Sequence, residues 1–144
     1  MNTDPVSQRL TALREAMTAN GVAAYLIPVG DPHASEYLPD HYTSLTWFSG
    51  FHGENATLVV TRTESALWAD GRYFVQAEKE LAGTEIRLQR MDEPGVPTVE
   101  EYCAAALSEG EALGLCGLTA STALVKRLES ALRKKGAAVR MLCL

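Results

Sequence analysis

No apolar run in this chain approaches the roughly 20 residues needed to cross a bilayer, so no membrane partner is expected. The start, Met-Asn-Thr-Asp-Pro, has no basic segment leading into an apolar one, so no signal peptide is read and the cytoplasm is the expected compartment. Basic charge is in deficit. Thirteen Lys and Arg stand against 18 Asp and Glu, a formal net charge of −5. The signs are interspersed, a balance that repels a phosphate backbone and argues against nucleic-acid binding. Cysteine is scarce: Cys103, Cys116 and Cys143 are odd in number, lack any Cys-x-x-Cys spacing and sit among apolar neighbours. Reduced core thiols are expected, not a zinc site. No glycine-rich loop precedes a Lys-Ser or Lys-Thr pair, which excludes a phosphate-binding P-loop. Ser35, Ser44 and Ser49 lack a Gly-x-Ser-x-Gly elbow, so a serine nucleophile of that kind is excluded too. The sequence holds no self-contained catalytic constellation.

What is present is enough for one core. The 144 residues are 47% hydrophobic and 22% charged, the range of a single globular domain spanning 1–144. A first helix is signalled by Asp4 as cap, Pro5 in the first turn, and a stripe of Val6, Leu10, Leu13 and Met17 ending at Asn20-Gly21. A buried strand is expected at 22–29. Residues 30–50 carry two prolines and two histidines without steady periodicity and read as a long loop, a feature often functional in compact domains. Two β-rich runs at 56–61 and 65–69, joined by Arg62-Thr63-Glu64, make a hairpin pattern. A helix from Asp70 to about Leu81 follows, then a strand at 85–91. Thr98 and Glu101 form a capping box for a helix with Val99, Tyr102, Cys103, Ala106 and Leu107 on one face. A short strand at 112–116 follows. A last helix from about Thr119 to Lys135 has Leu124, Leu128 and Leu132 on one face and a Glu129–Arg133 pair, and a final strand covers 138–144. Helices and strands that alternate around one hairpin imply an α/β domain, a mixed β-sheet with flanking helices.

The stretch Ala66-Leu67-Trp68-Ala69-Asp70-Gly71-Arg72-Tyr73-Phe74 is the most informative. A strand runs into a helix there, with Asp70 placed to cap it, Gly71 to permit a tight bend, and Phe74, Ala77 and Leu81 at helical spacing. Upstream, Asp31, His33 and Glu36, with His41 and His52, are residue types that ligate zinc or manganese. Asp31 closing a turn and His33 and Glu36 fixing the loop by hydrogen bonds account for them more simply. Arg72 has the fork geometry that grips a carboxylate or phosphate. An ion pair with Asp70, Glu36 or another loop acid, holding the loop to the helix, is the favoured reading. Trp47, Phe48, Phe51 and Trp68 read as core or interface aromatics. His52 lies between Gly50 and Gly53, a turn able to present the ring outward, and it reads either as a contact or simply as an exposed histidine.

Three motifs taken in order, Asp31-Pro32-His33-Ala34-Ser35-Glu36-Tyr37, Gly50-Phe51-His52-Gly53 and Ala66 to Ala77, resemble the N-terminal domain of Xaa-Pro aminopeptidases (aminopeptidase P), in the creatinase and prolidase family. The resemblance covers almost the whole chain. It departs from the pattern at Glu54-Asn55, where members often carry small residues. It implies a ribonuclease-H-like α/β fold for a non-catalytic domain, inactive by itself, that serves dimerisation and borders the substrate entrance. The parent would release the N-terminal residue from peptides with proline in second position. Its catalytic pita-bread domain, holding two divalent metals, usually manganese, is absent from these residues, and no cofactor or metal is expected here. The implied partners are the catalytic domain of the same chain, that of a second protomer, and a proline-containing peptide. His33, Glu36, Tyr37, His52 and Arg72 are the resulting candidates for substrate or interface contact. Alternatives are a prolidase (Xaa-Pro dipeptidase) N-terminal domain, a free-standing peptide- or protein-binding module, and a ribonuclease-H-like enzyme holding magnesium on Asp31, Glu36 and Asp70. The acidic balance counts against the last.

Overall fold

The computed structural model describes residues 5–28, 56–69, 71–91, 93–115 and 122–141, with backbone alone at residues 5, 28, 72, 122 and 141. Helix α1 (Pro5–Ala19) leads to β1 (Ala24–Pro28), and β2 (Ala56–Thr61) and β3 (Ser65–Ala69) follow. A 3-10 turn (Gly71–Tyr73) then enters α2 (Phe74–Leu81), β4 (Ile86–Arg90) and α3 (Val99–Ala106). The chain continues through β5 (Ala112–Leu115), α4 (Thr122–Arg133) and β6 (Ala138–Met141).

The strands form one sheet in the order β4-β3-β2-β1-β5-β6. Among the described strands only β2 runs against its neighbours; β3 pairs β4, β1 pairs β5 and β5 pairs β6 in parallel. The expected mixed sheet with flanking helices is what forms. The hairpin turn is held by Thr61, whose amide donates to the Glu64 carbonyl at 2.8 Å and whose hydroxyl accepts from the Glu64 amide at 3.0 Å. Parallel neighbours need a crossover, and helices supply them: α2 links β3 to β4, and α4 links β5 to β6.

Alternation along the strands divides the core in two. On one face Tyr25, Ile27, Leu58, Val60, Leu67 and Ile86 meet Leu10, Leu13 and Met17 of α1 and Ala77 and Leu81 of α2. On the other, Leu26, Val59, Trp68, Leu113 and Leu115 meet Cys103 of α3, Leu107, and Val125, Leu128 and Leu132 of α4. Each fully buried leucine contributes about 1.5–3 kcal/mol relative to exposure.

Three local expectations are corrected. The helix expected from Asp70 is an α-helix only from Phe74, after the 3-10 turn, and its N-cap is Tyr73, with no side-chain cap bond; Asp70 lies outside the described residues. The turn rotates the helix so that Tyr73 packs on the core, while half-exposed Phe74 lies under the Arg90 guanidinium, 5.4 Å from ring centroid to Cζ. Ala106 is exposed, and Ala104 packs inward in its place, because the helix stops there and Leu107, in extended conformation (φ −104°, ψ 144°), turns into the core. Glu129 and Arg133 do not pair among the described residues, since two exposed charges gain little from holding one geometry; α4 is tied instead to α3 by Arg127 and Glu100 at 3.0 Å. The capping box forms as expected: Thr98 Oγ1 accepts from the Glu101 amide at 3.1 Å, and the Thr98 amide donates to Glu101 Oε1 at 3.0 Å.

Candidate functional site

Five strands point the same way, so their carboxyl ends, Pro28, Ala69, Arg90, Leu115 and Met141, share one edge of the sheet with Ala56, where antiparallel β2 begins. The described residues that flank the sequence motifs lie on that edge. The chain carrying Asp31–Tyr37 and Gly50–Gly53 leaves at Pro28 and returns at Ala56, and the third motif runs off the end of β3. Open α/β sheets bind ligands outside the carboxyl ends of their strands, so topology directs the search here.

His33, Glu36, Tyr37 and His52 lie outside the described residues, as do His41, Trp47, Phe48 and Phe51. Arg72 contributes its backbone to the 3-10 turn, and its side chain is likewise outside the description.

Side chains described at this edge are engaged with one another. Trp68 is 2% exposed, donates from Nε1 to the Pro97 carbonyl at 2.9 Å, and meets the Tyr102 ring edge-on. It is a core aromatic, as read from the sequence. Arg90 pairs with Glu78 and reaches Glu93 at 3.9 Å while lying over Phe74. Two carboxylates therefore satisfy it, and it serves as a clamp between β4 and α2. Sequence reasoning missed Arg90; basic residues ending a strand before an acidic turn were the available signal. Gly71 and Val75, four residues apart on the surface of the turn and α2, are exposed, Val75 to 65%.

The opposite edge holds a shallow depression of about 260 Å³ lined by Thr61, Arg62, Thr63, Glu64, Ala106 and Glu111, with Ala23 below. Arg62 and Glu111 pair across it at 2.8 Å. The hydrogen bond from the Ser108 amide and the Arg62 charge hold the Glu111 carboxyl below its usual range. Glu64 accepts from the Tyr102 hydroxyl. The phenol is pushed far up by burial first and by Glu64 second. Burial opposes ionisation of Glu100, yet its own amide and Arg127 carry its pKa below the ordinary value. Cys103, buried beneath α3, has its thiol raised to about 12 by burial and by the Glu100 charge, the opposite of an activated nucleophile. Among the described residues no three of His, Cys, Asp and Glu converge on a place for a metal ion, and no helix is long and apolar enough to cross a membrane.

A family model described as the creatinase/prolidase N-terminal domain matches residues 9–140. The chain is 39% identical over 132 residues to Aminopeptidase P2 of Arabidopsis thaliana, covering 90% of this chain and 18% of that protein. It thus spans less than a fifth of that relative. Among solved structures, the X-prolyl aminopeptidase of Caenorhabditis elegans, a cytosolic enzyme with a di-nuclear active site, matches with a TM-score of 0.84 and 30% identity over 98% of this chain and 24% of that one. The N-terminal domain of the cytoplasmic peptidase PepQ from Mycobacterium tuberculosis matches at 0.66 and 24% identity, covering 94% and 92% of the two chains, which shows a shared fold.

Proposed function

Because the chain belongs to the creatinase/prolidase N-terminal domain family, matched over residues 9–140, we propose that it is the non-catalytic N-terminal domain of a proline-specific metalloaminopeptidase. The parent releases the N-terminal residue from peptides with proline in second position, in the cytoplasm. This domain serves its dimerisation, packs against the catalytic domains of its own chain and of a second protomer, and borders the entrance for the proline-containing peptide. The relation to the Caenorhabditis elegans aminopeptidase carries the reading: nearly all of this chain corresponds to one quarter of that enzyme. The names of the relatives favour aminopeptidase over dipeptidase.

Two divalent metals, manganese in this reading, would supply the activated water for attack on the peptide carbonyl. Their ligands are assigned to the catalytic domain. The part left to this chain is positional. The sheet presents its carboxyl edge as a rigid base, and His33, Glu36, Tyr37, His52 and Arg72 are the side chains assigned to contact.

The test is hydrolysis of an Arg-Pro-Pro peptide with manganese, by the 144-residue chain and by the full-length product of its gene. Turnover by the full-length protein alone is expected, and turnover by the 144 residues alone overturns the reading. In the full-length protein, His52→Ala or Arg72→Ala is expected to raise KM or weaken the dimer by roughly tenfold, the effect of about 1.4 kcal/mol.

A further inference from the structure

At the edge of the sheet remote from the motifs, Arg14 reaches out of α1 over the strands. Its Nε donates to the Thr61 carbonyl at the end of β2, 2.8 Å away, and its Nη1 donates to Glu85 Oε1, just before β4, at 3.1 Å. β2 and β4 are the two neighbours of β3. A guanidinium that touches both therefore lies across the start of β3, where Ser65 pairs with Val60 on one side and Ile86 on the other. Ser65 alternates with Leu67 and Ala69, which belong to the core cluster beneath α1, so its hydroxyl points to the same face as Arg14.

The Ser65 hydroxyl is fully buried and has no hydrogen-bond partner among the described residues, and Arg14 Nη2 is buried and equally unpaired among them. Leaving either group unmatched costs about 1–3 kcal/mol. Two such groups on one face of the sheet at the start of β3, one a charged donor and one both donor and acceptor, have a common remedy in native proteins, an ordered buried water.

We propose that this place is a binding site for one buried water molecule, held between Arg14 and Ser65. The water accepts from Arg14 Nη2 and exchanges a hydrogen bond with Ser65 Oγ. Other small occupants fit the chemistry less well. An anion would be repelled by the Glu85 carboxylate already on the guanidinium, a cation by the guanidinium itself, and an apolar group would leave both atoms unpaired. With the water in place, Arg14 ties α1 to β2 and β4 directly and to β3 through solvent.

The test joins two measurements on the 144-residue chain. A crystal structure resolving ordered solvent is expected to show a water within hydrogen-bond distance of both atoms. Ser65→Ala, which strands that water on Arg14, is expected to lower Tm by roughly 2–4 °C, the shift that about 1 kcal/mol produces in a domain of this size. No ordered solvent at this place overturns the proposal. So does a Ser65→Ala Tm that is unchanged or raised, the result for a hydroxyl that is merely stranded.

Discussion

Tyr102 stands edge-on to Trp68, with ring centroids 5.0 Å apart and planes at 76°, and the same phenol donates its proton to Glu64 at 2.5 Å. One side chain of α3 thus spans β3, from the tryptophan near its end to the hairpin turn before its start. The Trp68 indole is held as well by its hydrogen bond to the Pro97 carbonyl. The tryptophan of the third motif is accordingly a structural anchor for the connection into α3.

Trp68→Phe should keep the aromatic contact and lose the bond to Pro97. A loss of about 1–3 kcal/mol is expected in urea unfolding followed by circular dichroism, and about 3–5 kcal/mol for Trp68→Ala. Unchanged stability in Trp68→Phe would remove the Pro97 bond from the account.

Cys103 should be inert in the folded chain. With Cys116 and Cys143 replaced by Ser, alkylation by iodoacetamide near pH 8 is expected only at the rate of unfolding. Its folded pKa, about 12, lies above the ordinary 9.0. The stabilising share is therefore complete below pH 9 and is lost as pH rises toward 12. Tyr102 is shifted in the same direction, so stability declines on the alkaline side. Cys103→Ala should flatten that decline in a pH series of unfolding midpoints.

Two glycines should behave in opposite ways. A Cβ on Gly114 of β5 would stand 2.9 Å from Cδ1 of the Tyr25 ring and 3.4 Å from Val22 Cγ1. Tyr25 is buried and cannot swing aside, so Gly114→Ala should cost about 1–3 kcal/mol. Gly71 has no positive φ, and a Cβ there meets nothing within 4 Å among the described residues. Gly71→Ala should leave the Tm of the chain nearly unchanged, which thermal melts of the two variants side by side would establish.

Thr98→Ala removes the hydroxyl of the capping box, and a loss of about 1 kcal/mol is expected in the same unfolding assay. Glu101→Ala, which removes the reciprocal bond, should show a smaller loss.

The sequence by itself determined most of the element order. The Val6, Leu10, Leu13, Met17 stripe, the 56–69 hairpin and the Thr98–Glu101 box are local signals, carried by periodicity, turn residues and caps within a few positions of one another. The three motifs likewise sufficed for the family. Local pattern did less well where an element meets its neighbours: Tyr73 took the core position expected of Phe74, and Ala104 that of Ala106, because a 3-10 turn and an early helix end rotate side chains through angles that spacing alone does not register.

Only the tertiary structure decided which distant residues meet. Strand order brings Thr61 and Glu85 within reach of Arg14 on either side of the start of β3, and Gly114 against Tyr25. It also puts Pro28, Ala56 and the end of β3 on one edge of the sheet, because five of the six described strands run in the same direction. Contacts of this kind depend on closure of long loops and on sheet register, and neither is written in any short window of the chain.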